Sequence, residues 1–249
     1  MTLLEITAAR VLRAAAHGGP EHEIGLDRLS LAPGARLGLV GPSGSGKSTL
    51  LELAALLVWP QALGGFRLAP PGAAPLELAP LLLARAQERL TRVRAAHVSY
   101  APQNGGLLPW LSVRGNAGLG LRLAGQAGAA SGGRIETVAA ALGLAHLLDK
   151  PPAALSGGER QRAALLRMAV SPRALMIADE PTAALDADTA GRVLCALAGI
   201  ASAAGAAFLV ASHDEAALRR HGFRLLRLPA PRAGSGGRLV SRLDGEVAA

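Results

Sequence analysis

Aromatic side chains are scarce in this chain: two Trp, one Tyr and three Phe serve 249 residues. Half of the residues are nonetheless hydrophobic, so a core has to be assembled from Leu, Ala and Val. The length suits one large domain, or a domain with a subdomain. A single cysteine, Cys195, excludes a disulfide framework and any multi-cysteine zinc site, and fits a reducing compartment. Lysine is almost missing as well. Lys47 and Lys150 are the only two, and the net charge of +8 rests on arginines scattered along the chain. Such scatter reads as a solvated surface, and no nucleic acid partner is expected from it. Met1 to Arg13 lacks the basic-then-apolar pattern of a signal peptide. Val193 to Ser212 carries no charge and is long enough to pass for a membrane span. It is rich in Ala, Gly and Ser and is divided by Gly205, so a buried helix to about Ala204 and a strand from Ala206 to Ala211 are expected instead.

What is present in full is a phosphate-binding loop. Gly41 to Leu50 reads Gly-Pro-Ser-Gly-Ser-Gly-Lys-Ser-Thr-Leu, a complete G-x-x-x-x-G-K-[ST] pattern. Arg36 to Val40 is a short apolar run after the Pro33-Gly34 turn and reads as a buried strand. From Leu50 onward, Leu51, Leu53, Ala54, Leu57 and Val58 fall at helical spacing. Glycines at 41, 44 and 46 let the backbone turn its N–H groups onto phosphate oxygens. The helix start adds partial positive charge at the same spot. Lys47 supplies a mobile cation for the outer phosphates, and the Ser48 hydroxyl is a Mg²⁺ ligand in such loops.

Read in order, Leu3–Leu12 and Ile24–Leu31 are two strands about the turn His17-Gly18-Gly19-Pro20. A short strand is expected at Gly64–Leu68, an amphipathic helix at Leu81–Arg92 and a strand at Ala96–Ala101. Helical pieces follow at about 113–123, 134–142 and 144–148, with no convincing strand. Alternation then resumes: helix 157–170, strand 174–178, helix 188–204, strand 206–211 and helix 214–220. Arg224–Leu228 and Arg238–Arg242 look like a closing hairpin around Pro229–Gly237. The pattern predicts an α/β core interrupted by an all-helical insertion: core at about 1–104 and 156–249, helical subdomain at about 105–155.

Two further stretches carry chemistry. Leu155-Ser156-Gly157-Gly158-Glu159-Arg160-Gln161-Arg162 opens a helix, with Ser156 and Glu159 placed for a capping box. An ordinary capped helix explains neither intervening glycine, because glycine costs helix stability. Ala174 to Glu180 is an apolar strand ending in two carboxylates. Beside a phosphate loop, the first suits Mg²⁺ and the second suits polarising an attacking water.

The phosphate loop, Gln103, the LSGGERQR octet, Asp179-Glu180, Ala184-Leu185-Asp186 and His213 resemble, in that order, the motifs of the ATP-binding cassette (ABC) ATPases. The likeness runs through essentially the whole chain. It implies a P-loop NTPase core with an antiparallel β subdomain and a helical insertion, acting on ATP with Mg²⁺. By that resemblance Gly41, Pro42, Ser43, Gly44, Ser45, Gly46, Lys47, Ser48 and Thr49 bind the phosphates. Ser48, Gln103 and Asp179 are implied at the metal, Glu180 as the catalytic base, Gln103 as the Q-loop glutamine and His213 as the switch histidine. Ser156, Gly157 and Gly158 form the signature and Asp186 the D-loop. The signature is implied to face the nucleotide of a second ABC subunit in a head-to-tail dimer. One position departs from the family: the adenine-stacking aromatic upstream of the loop is missing, its slot falls near Leu12, and an aliphatic surface or His17 is left to meet the base.

Gly106 to Asn116 follows Gln103 and resembles the transporter type, with Trp110 as a candidate anchor for a separate membrane permease. The implied location is the cytoplasmic face of the inner membrane. LSGGERQR looks like lipoprotein-release or macrolide-exporter ATPases, and Leu-Leu-Pro-Trp more like anion or sulfonate importers. The alternative is a soluble, non-transport ABC ATPase of cofactor assembly, DNA repair or translation. Against the last two stand the lack of a long coiled coil and zinc cysteines, and the single phosphate loop.

Overall fold

The P-loop strand lies inside a parallel sheet that is buried on both faces, and every other element is arranged around it. The computed structural model describes residues 2–14, 20–123, 125–126, 130–234 and 238–249. The predicted turn at His17 to Gly19 and the tip of the last loop lie outside these residues. The first elements are β1 (Leu4–Arg13), β2 (His22–Leu31), β3 (Arg36–Val40), α1 (Lys47–Ala54), β4 (Gly65–Leu68) and β5 (Leu76–Glu77). Then come α2 (Ala79–Leu83), α3 (Gln87–His97), β6 (Val98–Ala101), α4 (Val113–Leu123), α5 (Ala130–Ala141) and α6 (Gly157–Ala169). The chain closes with β7 (Leu175–Asp179), α7 (Ala187–Ala203), β8 (Ala207–Ala211), α8 (Glu215–Arg220), β9 (Arg224–Arg227), β10 (Arg232–Ala233) and β11 (Leu239–Ala248).

The parallel sheet has the order β6-β7-β8-β3-β9. Its central strands read as unbroken apolar runs because both faces are covered. In β7, Leu175 and Ile177 join the core beneath the second sheet, while Met176 and Ala178 join the core beneath α4 to α7. In β8, Leu209 and Ala211 divide from Phe208 and Val210 in the same way. The uncharged 193–212 run thus resolves into the end of α7, Gly205 at φ 63° and β8. Among the described residues no helix is long and apolar enough to cross a membrane.

The second sheet has the order β10-β11-β2-β1-β4-β5. It is antiparallel except where β11 runs parallel to β2, with Leu239 opposite His22. This differs from the closing hairpin that the sequence suggests. Arg224–Arg227 instead pairs with β3 in the parallel sheet, and residues 239–248 pair with β2 in the other. Alternation in a short strand marks a buried face and does not name the neighbouring strand. The expected helix at Leu81–Arg92 is also two helices. Arg85 adopts φ 52° between α2 and α3, and each piece buries one side chain, Leu82 or Leu90, too little for one continuous stripe. Likewise α1 stops at Ala54, with Leu56 at φ 60° and Leu57 facing solvent.

Candidate active site

At α1 the helix start is left open. Gly46 precedes it at φ 100°, no side chain caps it, and its first turn has no acidic residue. The orphan N–H groups and the partial positive charge therefore face outward unneutralised. A Cβ on Gly46 would lie 2.7 Å from Cγ1 of Ile24 on β2, so glycine is required for the sheet to press against the loop. Gly41 is confined in the same manner, its Cβ position lying 2.6 Å from the Leu228 carbonyl oxygen. Lys47 Nζ donates to the carbonyls of Gly41 at 2.9 Å and Pro42 at 3.1 Å. The ammonium is thus folded across its own loop. Ser45 Oγ is buried without a partner.

A cavity of about 330 Å³ opens over this loop, lined by Ser43 to Thr49, His22, Gln103, Glu180 and His213. Asp179 stands at the end of β7, beside the cavity residues Ser48 and Glu180. Ser48 lies near enough to the Asp179 carboxylate to favour the charged form, and Asp179 Oδ1 remains buried without a partner. Burial pushes the Asp179 carboxyl above the ordinary carboxylate range, against the pull of Ser48 and Lys47. Glu180 sits at φ 47°, a backbone region that is costly for a side chain of this size. Its N–H donates to the Ala211 carbonyl at 3.0 Å. His213 Nε2 lies 3.1 Å from Glu180 Oε1, without the alignment of a hydrogen bond, so that this buried oxygen too is unpartnered. Burial raises the Glu180 carboxyl most strongly, and His213 and Lys47 pull it back.

The other sequence-identified residues lie apart from this cavity. Ser156 caps α6, its Oγ accepting from the Glu159 N–H at 3.3 Å while Glu159 Oε2 accepts from the Ser156 N–H at 2.7 Å. Gly158 is crowded: a Cβ there would lie 3.0 Å from both the Ala184 carbonyl oxygen and Leu185 Cδ2. Gly157 faces open space, with nothing within 4 Å of a Cβ position, on the wall of a second cavity of about 490 Å³. Asp186 caps α7, accepting from the Thr189 N–H at 2.9 Å. Gln103 lines both cavities.

A family model described as ABC transporter matches residues 27–183, which span the phosphate loop, Gln103, the signature octet and the Asp179-Glu180 pair. The chain belongs to the ABC transporter family. It is an ATP-binding, ATP-hydrolysing subunit of that family, and the soluble, non-transport alternative finds no support. Among similar proteins is the lipoprotein-releasing system ATP-binding protein LolD of Maricaulis maris, 41% identical over 186 residues, covering 75% of this chain and 77% of the relative. LolD of Chromohalobacter salexigens is 36% identical, covering 84% and 85%. The thiamine import ATP-binding protein ThiQ of a Jannaschia species is 33% identical, covering 75% and 74%. Of solved structures, a dimeric post-hydrolysis state of the ATP-binding cassette MJ0796 bound to ADP and Pi matches with a TM-score of 0.74. It covers 90% of this chain and 93% of that one, at 23% identity, a level that shows the shared fold.

Within this ABC subunit the structure adds residues to which the sequence assigned no role. Gln161, inside the LSGGERQR octet, donates to the Glu180 carbonyl at 2.6 Å and accepts from the Ala184 N–H at 3.0 Å. It thereby ties the signature helix to the strained carboxylate end of β7. Its membership in the octet was the only available signal. His22 reaches the phosphate-loop cavity from β2, and nothing local in the sequence marks it.

Proposed function

We propose that this ABC subunit hydrolyses ATP at two composite sites of a head-to-tail dimer and transmits each closure to a separate permease at the cytoplasmic face of the inner membrane. A nucleotide's outer phosphates draw the Lys47 ammonium from the Gly41 and Pro42 carbonyls. The oxygen donors Ser48 and Asp179, with one buried Asp179 oxygen unpartnered, suit a hard divalent cation such as Mg²⁺. A Mg²⁺ held there by Ser48 and Asp179 would supply charge neutralisation at the phosphates. The Glu180 carboxylate, made more basic by burial, takes the proton of the water that attacks the γ-phosphorus as the bridging P–O bond breaks. His213 and Gln103 hold that water and the γ-phosphate end. The open Gly157 and the crowded Gly158 fit a signature whose ligand arrives from another chain, since none of the residues Gly41 to Thr49 lines the cavity at Gly157.

The observation that carries the transport reading is the loop after Gln103. Its start is held by Arg167, which donates to the Gly106 and Gly105 carbonyls at 2.7 and 3.1 Å. Its end is held by Asn116, fully buried, which receives the Leu108 N–H at 2.8 Å and donates to the carbonyls of Leu108, Leu111 and Ser112 at 3.1 Å. Between these clamps Trp110 stands 74% exposed. A rigid loop that exposes an aromatic anchor and begins at a nucleotide-cavity residue is suited to carry a nucleotide-driven shift to a partner. Trp110→Ala should keep the melting temperature and basal hydrolysis of the isolated subunit. Loss of such an anchor typically costs about 2 kcal/mol or more, roughly thirtyfold in permease affinity. Undiminished assembly and transport in this variant would refute docking through Trp110.

A further inference from the structure

The phosphate loop accounts for one end of a nucleotide, and the walls of its cavity assign the other. Glu180, His213 and Gln103 gather at the reacting end: His213 contacts Glu180, and Gln103 continues into the second cavity. The remaining wall is His22. It lies two residues before Ile24 on β2 and so shares its face, and Ile24 is the residue pressed against Gly46 of the loop. None of the chain's six Phe, Tyr and Trp residues lines this cavity. We infer that His22 is the nucleoside-binding side chain of this subunit, its imidazole face packing on the base or ribose of a nucleotide whose phosphates occupy Ser43 to Thr49. The inference rests on the nucleotide-site reading above and extends it to the base.

Two contacts hold the ring in place. Its Nε2 shares a hydrogen bond with Ser241 Oγ at 2.9 Å, and Ser241 is itself buried on β11. That leaves the other ring nitrogen without a partner among the described residues and available to a ribose hydroxyl or a base edge. Opposite His22 in the β1–β2 ladder stands Arg13. Its Nε donates to Thr49 Oγ1 at 3.2 Å and its guanidinium pairs with Glu52, which anchors the strand ends to α1. Burial lowers the His22 pKa, so the ring is neutral near neutral pH, the form in which its π-face stacks without bringing charge. The C-terminal strand, far from the loop in sequence, is thereby a positioning element of the nucleotide site through Ser241.

The test is calorimetric binding of AMP-PNP and, separately, of inorganic tripolyphosphate, which has phosphates and no nucleoside. Stacking on a ring predicts that His22→Ala loses about tenfold in AMP-PNP affinity and nothing in tripolyphosphate affinity. His22→Phe should restore the AMP-PNP affinity. Ser241→Ala should show a smaller loss of the same selective kind, and Ser241→Thr should recover it. Tripolyphosphate binding doubles as the check on folding. The inference is overturned if His22→Ala stays within about twofold of the wild type for AMP-PNP, or if it loses both ligands equally. Failure of the wild-type protein to bind either ligand would instead overturn the phosphate-cradle reading beneath it.

Discussion

Two helices of this protein begin with glycines, and they begin differently. At α1 the preceding Gly46 is left-handed, no side chain caps the helix, and its first turn carries no acid. At α6 Ser156 and Glu159 close a capping box, so part of the helix start is satisfied from within and carries a carboxylate. The first therefore presents unneutralised positive charge to a cavity that Glu180, His213 and Gln103 also line. The second is largely self-satisfied and keeps one bare face, at Gly157. The contrast teaches that glycine has three uses here. Gly46 allows the β sheet to approach, Gly158 allows the Ala184–Leu185 segment to approach, and Gly157 keeps open space beside the helix start.

The largest effect should come from removing the proposed base beside the first helix start. Glu180→Gln should lower steady-state phosphate release by about 10²–10⁴-fold, keep ATP binding, and trap an ATP-loaded dimer. Turnover near the wild-type rate would assign the base elsewhere. At the second helix start the sharpest test is Gly157→Val. Among the described residues no atom lies within 4 Å of a Cβ there, so the melting temperature should hold. Hydrolysis and ATP-driven dimerisation should fall by about tenfold or more, as loss of oriented contacts to a phosphate predicts. A variant that melts early would show the bare face to be internal packing.

Gly158→Ala should do the reverse. A Cβ at 3.0 Å from backbone oxygen and Leu185 forces a shift worth about 1–3 kcal/mol, the usual cost of overpacking, readable by chemical denaturation. The smallest effect concerns the carboxylates at the end of β7. Burial raises the Asp179 and Glu180 carboxyls, so folding favours their protonated forms. The stability they contribute is full below the ordinary carboxylate pKa and is lost as pH rises through the raised values. Asp179→Asn removes that loss. In the absence of nucleotide it should therefore melt a few degrees higher than wild type above neutral pH and match it under acid conditions. Equal melting at both ends would mean that the Asp179 charge is already compensated by Ser48 and Lys47.

The sequence by itself determined the family, the α/β class and the roster of motifs. Each of these rests on short-range physics: a tight glycine turn, a strand run buried on both faces, a helix cap two or three residues long. The loop Gly41 to Thr49 and the strand that ends in Asp179-Glu180 are legible because neighbours in sequence make the chemistry. Only the tertiary structure decided which of these residues share a cavity, and that Gly157 and Gly158 differ in what they face. It also decided that Gln161 holds the Glu180 backbone, that β9 and β11 belong to different sheets, and that His22 stands over the phosphate loop. His22 depends on Ser241, 219 positions away, and Gln161 on Glu180, 19 positions away. Contacts of that separation are set by how sheets and helices pack, and a local pattern carries no record of them.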